Sequence, residues 1–300
     1  MRKMNFKTRY VPCNLCDRDD ISEIWIKDTF RYVQCRNCGL VYVNPQLEPS
    51  EIEKIYSSIY RNKSDNKLPP TDFINYREIL QWAEPYRKLN RFLDTGCFNG
   101  YLLAAAREKK WQPYGVEISD QAVQYANQIM GLNVLQSYSP HELFPEKFFD
   151  VVVLFDVIEH LSDPTSFLKE IYSLLRPGGG LYIFTPNFNS LTRRIFQKEW
   201  GVFFPWHQYY FSPETLEKLL CKSGFNINRI QCFGIGPISR SNPFRELILN
   251  QGKQKTSIKQ NFLINKLKNP YIRRFYFYLL SNFHLPYGSK MTASANKPEK

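Results

Sequence analysis

From Asn90 to about Gln231 the chain alternates short apolar runs with stretches of helix length. Few folds accept that pattern, and the leading one is an α/β architecture: a doubly wound, mostly parallel sheet covered on both faces by helices. Runs at 91–94, 113–117, 133–136, 149–155, 180–185 and 225–231 predict strands, and 101–110, 120–130, 164–175 and 213–223 predict helices. The run 149–155, Phe-Asp-Val-Val-Val-Leu-Phe, reads as a strand buried on both faces. Ser212 caps a helix that has Pro213 at its first position, and Gly224 stops it. Gly178, Gly179 and Gly180 follow Pro177 and read as a scaffold turn. In such sheets ligands bind beyond the carboxyl ends of the strands, so the loops there are the candidate site.

At 300 residues the chain has room for one large domain or two unequal ones, and 43% hydrophobic with 23% charged residues excludes a wholly disordered or low-complexity chain. No window reaches the roughly 18 apolar residues of a spanning helix, and residues 1–10 are polar and basic with no apolar stretch behind them. A cytoplasmic location is expected. The basic excess is local: residues 236–300 hold 12 basic and 2 acidic side chains, whereas 91–235 hold 13 and 14. Within that tail, 270–280 mixes arginines with aromatics. It reads as an amphipathic helix over the sheet edge, as a peripheral membrane-surface contact, or as a nucleic-acid contact.

Cys13, Cys16, Cys35 and Cys38 form two C-x2-C pairs separated by 18 residues. That spacing suits one structural Zn2+ ion held by four thiolates, and it leaves no open coordination position for chemistry. Two redox dithiols or disulfides are the competing readings. Cys97, Cys221 and Cys232 read as small buried apolar residues.

The loop Asp94-Thr95-Gly96-Cys97-Phe98-Asn99-Gly100 joins a strand to a helix, and Glu117 follows 21 residues after Gly96 at the end of the next strand. The G-x-G-x-x-G pattern that brings pyrophosphate to a helix N-terminus is absent, but an acid at Glu117 can accept from both hydroxyls of a ribose. A nucleoside without pyrophosphate is the ligand expected. FLDTGCFNG (92–100), YGVEIS (114–119), FDVVVLFDVIEHLSDP (149–164) and LLRPGGGLYIFTPN (174–187) together resemble the ordered motifs of class I S-adenosylmethionine-dependent methyltransferases over about half the chain. Within that family, the N-terminal cysteines and HQYYFSPETLEKLLCKSGF (207–225) are most similar to bacterial enzymes of sugar and cell-surface polysaccharide biosynthesis.

The resemblance implies a seven-stranded sheet with 289–297 as its antiparallel last strand and 242–285 as an insertion before it. It implies S-adenosyl-L-methionine as cofactor, with Asp94, Gly96, Cys97, Gly100 and Asp156 around it, Glu117 on the ribose and Ile118 against the adenine. Phe98 stands where the family usually has a third glycine and is expected to point away from the cofactor or narrow its pocket. After the third strand, 136–139 supplies no acid for the adenine amine. The domains implied are a zinc ribbon (1–45), a helical linker (46–89), the cofactor-binding core (90–235) and a basic aromatic extension (236–300).

Methylation of a hydroxyl needs alignment and a base. His160 and His207 follow adjacent strands and are the catalytic candidates, with Glu159 beside them. Asp156, Glu159 and His160 form D-x-x-E-H. This admits three readings: loop capping, a histidine base made more basic by nearby carboxylates, or a divalent-ion site. His207 lies among aromatics as a packed lid or a substrate-facing group. The function expected is O-methylation of a small-molecule or glycan acceptor. The alternatives are an RNA base methyltransferase, which FDVIEH after the fourth strand disfavours, and a non-catalytic cofactor-binding module. The acceptor's identity and the oligomeric state are left open.

Overall fold

In the computed structural model the described residues are 6–61, 76–204, 206–234 and 287–299. The chain opens with β1 (Thr8–Arg9), then the antiparallel strands β2 (Ile21–Lys27), β3 (Phe30–Cys35) and β4 (Val41–Val43), and β5 (Gln46–Leu47) returns to pair with β1. Two helices follow, α1 (Pro49–Arg61) and α2 (Tyr76–Ala83), the second burying Ile79, Leu80 and Ala83.

From β6 (Arg91–Thr95) the βα alternation takes over: α3 (Tyr101–Glu108), β7 (Gln112–Glu117), α4 (Asp120–Gln128), β8 (Val134–Gln136), β9 (Phe149–Phe155), α5 (Pro164–Leu174) and β10 (Leu175–Pro186). Then come α6 (Leu191–Phe196), β11 (Tyr209–Tyr210), α7 (Pro213–Lys222), β12 (Asn226–Phe233) and β13 (Lys290–Asn296). The central sheet has seven strands in the order β12-β13-β10-β9-β6-β7-β8, with β13 antiparallel to both neighbours and the other pairings parallel. This is the architecture expected from the alternation.

The central strand shows why the pattern is readable. Val151, Val152, Val153 and Leu154 are fully buried because helices cover both faces, so apolar residues run without alternating. One face packs Phe167, Leu168, Ile171 and Leu174 of α5 and Leu216, Leu219 and Leu220 of α7; the other packs Leu102, Leu103 and Ala106 of α3. Helix starts are fixed by side chains. Ser119 accepts from the Ala122 amide, Asp163 from Ser166, and Ser212 and Thr215 form a reciprocal capping box.

Two expectations need correction. The Gly178–Gly180 segment is no turn, because β10 starts at Leu175, directly after α5, and runs through it with a register shift against β9. Its glycines pair instead with the C-terminal segment, Gly178 N–H donating to Lys297 O (3.0 Å) and Lys297 N–H to Gly179 O (2.9 Å). Cys221 is exposed rather than buried, since the inner face of α7 is taken by Thr215, Leu216, Leu219 and Leu220. The insertion 242–285 lies outside the described residues. No helix among the described residues is long and apolar enough to cross a membrane.

Candidate active site

The carboxyl ends of β6 and β7 place two acids side by side. Asp94 is 3% exposed, and its Oδ1 has no hydrogen-bond partner among the described residues. Burial, with Glu117 nearby, pushes the Asp94 carboxyl well above the usual carboxylate range. Tyr76 of α2 is also close, a residue the sequence reading did not single out; burial and then Asp94 push its hydroxyl up to about 12.

Glu117 is held by three amides. Its Oε1 accepts from Ile118 N–H (2.8 Å) and Ser119 N–H (2.9 Å), and its Oε2 from Phe98 N–H (2.9 Å). A carboxylate offers about four acceptor positions, so about one is left for a ligand hydroxyl. Burial raises its carboxyl even against these amides.

The loop between these acids is shaped by close approaches. Gly96 and Gly100 have φ of +69° and +79°, and a Cβ added to them would sit 2.5 Å from Val157 Cγ2 and 2.3 Å from Leu132 Cδ1. Phe98 also takes a positive φ, +51°, which commits its amide to Glu117. The Cys97 thiol packs in the core cluster with Leu103 and Val134, so this residue offers a ligand only its backbone. Ile118 is half-buried, and its carbonyl accepts from Gln136 Nε2 (3.1 Å).

The contact of Gly96 with Val157 sets this loop against the one after β9, where the second group of candidates lies. Glu159 is 2% exposed; its Oε2 accepts from Thr185 Oγ1 (2.9 Å), while its Oε1 has no partner among the described residues. The His160 ring donates from Nδ1 to Trp206 O (3.2 Å) and stands edge-on to the His207 ring, centroids 4.5 Å apart. His207 is buried, and its Nδ1 also has no partner among the described residues. One ligand atom from each of Glu159, His160 and His207 lies within 4.8 Å of the others.

Asp156 is not in that group. It adopts φ +50° and forms an ion pair at 2.6 Å with Lys290, which reaches across from β13. A divalent-ion reading of the D-x-x-E-H loop therefore exchanges Asp156 for His207. Burial, reinforced by Asp156, pushes Glu159 up to about 8 and, against the pull of Asp156, lowers His160 to about 4. His207 is held well below the ordinary histidine range by burial and then by His160. Asp156 raises the basicity of the His160 ring, as expected of a neighbouring carboxylate, but desolvation of two packed imidazoles outweighs it and both rings end below the ordinary histidine range. Burial thus favours the protonated form of Glu159 and the neutral form of both rings. Thr185 and Gln208 lie in motifs that carry the resemblance and Trp206 among the aromatics around His207, but Lys290 carried no signal of its own in the sequence.

The four N-terminal cysteines converge. Cys13 Sγ lies 3.4 Å from Cys38 Sγ, Cys16 Sγ 3.5 Å from Cys35 Sγ, and all four lie within 4.8 Å of one another as free thiols. Each pair sits on a tight turn, closed by Asp17 N–H to Cys13 O (2.7 Å) and Gly39 N–H to Cys35 O (3.0 Å). Sulfurs at about 2.3 Å from a tetrahedral ion are about 3.8 Å apart, so this donor set fits zinc. Burial lifts Cys38 to about 11 and Cys13 higher still; at Cys16 it is outweighed by hydrogen bonds, chiefly from Asn37, that bring the thiol down to about 7.

A methyltransferase-domain family model matches residues 68–230, more than half the chain. Among curated relatives, a ubiquinone biosynthesis O-methyltransferase of Parvibaculum lavamentivorans is 34% identical over 110 residues, 35% of this chain and 43% of that protein. One of Azoarcus is 27% identical over 159 residues, 49% of this chain and 66% of that protein. A Mycobacterium tuberculosis protein named "Probable S-adenosylmethionine-dependent methyltransferase" is 29% identical over 171 residues, 54% and 60% of the two chains. The chain thus spans between about two-fifths and two-thirds of the length of these relatives. An S-adenosylmethionine-dependent methyltransferase from Archaeoglobus fulgidus shares the fold with a TM-score of 0.51 at 21% identity, covering 74% of this chain and 92% of that one. A Bacillus halodurans protein named "putative methyltransferase" does so at 0.50 and 16%, covering 75% and 99%. The chain belongs to the methyltransferase-domain family and carries the class I, S-adenosylmethionine-dependent methyltransferase fold.

Proposed function

We propose that the protein transfers a methyl group from S-adenosylmethionine to a hydroxyl oxygen, with a sugar of a glycan precursor as acceptor. The observation that carries this reading is the Gly96–Val157 contact, which sets the acid-lined loop of Asp94 and Glu117 against Glu159, His160 and His207. Asp94, the 96–100 backbone, Glu117 and Ile118 would hold the cofactor, Asp94 through the carboxylate oxygen that has no partner among the described residues. The bound cofactor supplies a methyl group on a sulfonium. Glu159 and the two histidines face the acceptor, and the atoms there able to take its proton include Glu159 Oε1 and His207 Nδ1. Zn2+ on the four cysteines is structural in this reading.

A second reading takes its support from the relatives, two of which are named for ubiquinone biosynthesis; the acceptor would then be a hydroxylated precursor of that kind. Incubating labelled cofactor in parallel with sugar nucleotides, surface glycan, hydroxylated quinone precursors and RNA separates the readings. Label in the sugar fractions supports the first, label in the quinone precursors the second, and label in RNA alone overturns both. The pH profile assigns the base: an Oε1 acceptor gives a rate that climbs through about pH 8, where Glu159 ionises, whereas a histidine acceptor gives a flat rate over that interval.

A further inference from the structure

The cysteine ribbon is wired into the histidine side of the site. Its sheet has the order β11-β4-β3-β2, so its fourth strand is the dipeptide Tyr209–Tyr210 that follows His207 and Gln208, paired as Tyr209 with Tyr42 and Tyr210 with Val41. The ladder continues inward: Val43 N–H donates to Gln208 O (3.0 Å), and Gln208 N–H donates to Glu159 O (2.8 Å). Two consecutive backbone hydrogen bonds thus lead from the strand behind the second cysteine pair to the main chain of Glu159. Cys35 is tied to that strand's start, its N–H donating to Leu40 O (2.9 Å).

The first cysteine pair grips the other end of the same loop. Asn14, between Cys13 and Cys16, accepts on Oδ1 from Thr165 N–H (2.9 Å) and Thr165 Oγ1 (2.7 Å) and donates from Nδ2 to Asp163 Oδ1 (2.7 Å). The Tyr209 hydroxyl donates to Ser162 O (3.3 Å) between these anchors. Packing follows the same route, since Cys13, Cys35, Leu40 and Tyr42 share one core cluster with Ile158, Leu168, Tyr209 and Phe211. The cofactor loops make their hydrogen bonds elsewhere, the Gly96 and Cys97 amides to Val116 O and the Phe98, Ile118 and Ser119 amides to Glu117, and Gly96 meets Val157 of the loop after β9 by packing.

We infer that the four-cysteine cluster is a positioning device for Glu159 and His207, so that its integrity governs the acceptor side of the site and leaves cofactor binding intact. Gln208 and Val43 are the positioning residues, because they carry the two hydrogen bonds. The consequence for turnover rests on the methyltransferase reading; the structural coupling does not.

The test is amide hydrogen exchange on the full chain, in the wild type, in Cys35→Ser, which opens the cluster, and in Val43→Pro, which removes the N–H that reaches Gln208 together with a buried valine side chain. Each protein is also titrated with S-adenosylhomocysteine. Exchange at 157–161 and 206–210 is expected to rise at least ~10-fold in both variants, with affinity within about threefold of wild type. Where an acceptor is available, kcat falls in both variants. Unchanged protection of 157–161 in Val43→Pro overturns the inference, as does a loss of affinity that matches the gain in exchange. If Cys35→Ser does not fold, Val43→Pro decides alone. Absence of methyl transfer to every acceptor, with the exchange pattern as expected, discards the proposed function and keeps the coupling.

Discussion

Glu159 is the residue whose environment is most at odds with its chemistry, and that makes it testable through stability as well as through rate. Its carboxyl sits at about 8 in the folded chain against an ordinary 4.5, and His160 at about 4 against 6.5. For Glu159 the folded state keeps a proton that the unfolded state has lost, so stability falls as pH rises from about 4.5 to about 8. For His160 the unfolded state gains a proton the folded state refuses, so stability falls as pH drops from about 6.5 to about 4. The two slopes oppose each other between 4.5 and 6.5 and leave a net loss from about pH 6.5 to 8. Chemical denaturation of the wild type should show that loss, on the order of 2 kcal/mol, and Glu159→Gln should flatten it; an equal slope in both proteins would mean Glu159 is ionised when folded. Glu117 makes a second residue-scale prediction. Because it satisfies three amides, Glu117→Ala should lower stability by about 1–3 kcal/mol as well as cofactor affinity, whereas Glu117→Gln, which keeps one carbonyl acceptor, should lose less stability for a similar loss of affinity. Calorimetry and urea melts on both variants check the pair.

At the scale of elements, legibility tracked whether a signal was local. β9 announced itself because burial on both faces leaves an unbroken apolar run, and α7 because Ser212, Pro213 and Gly224 bracket it. The cysteine pairs were readable for the same reason: their spacing is their chemistry. β11 was not, since a two-residue strand has no period and exists only because β4 lies beside it, some 165 positions earlier in the chain. His160 and His207 could be named from their loops, but their edge-on contact and shared burial could not, and these set their basicity. Lys290 was invisible, because nothing in Gly-Ser-Lys-Met points to an aspartate 134 residues away. The capping box gives the element-scale prediction. Ser212→Ala removes the acceptor for Thr215 N–H and should cost about 1 kcal/mol in a thermal or urea melt. Thr215→Ala should cost a similar amount, and the double variant less than the sum, because the two side chains satisfy each other's backbone.

Across the whole molecule, the candidate site and a buried ion pair occupy opposite ends of the sheet. The acids and histidines sit beyond the carboxyl ends of the strands, while the amino ends are locked by a buried ion pair. Arg176 Nε donates to Asp150 Oδ1 (2.6 Å), and the same guanidinium reaches Tyr86 O and Pro177 O (2.6 Å). Asp150 Oδ2 also takes Leu89 N–H (2.8 Å) and Arg91 N–H (3.1 Å), so one pair joins β9 and β10 to the segment entering β6. Removing the arginine leaves a fully buried carboxylate with two amides among the described residues, and breaking such a pair costs about 3–5 kcal/mol. Arg176→Ala should therefore lower the melting temperature more than Glu117→Ala, Ser212→Ala or Thr215→Ala. Because the pair is remote from Asp94 and Glu117, the folded fraction should bind S-adenosylhomocysteine within about twofold of wild type. The joint variant Arg176→Met with Asp150→Asn should recover part of the stability, since no uncompensated charge remains buried. A melt of Arg176→Ala that overlays the wild type would mean that water reaches Asp150 and that the pair contributes nothing; a matching loss of cofactor affinity would mean that the two ends of the sheet are not independent.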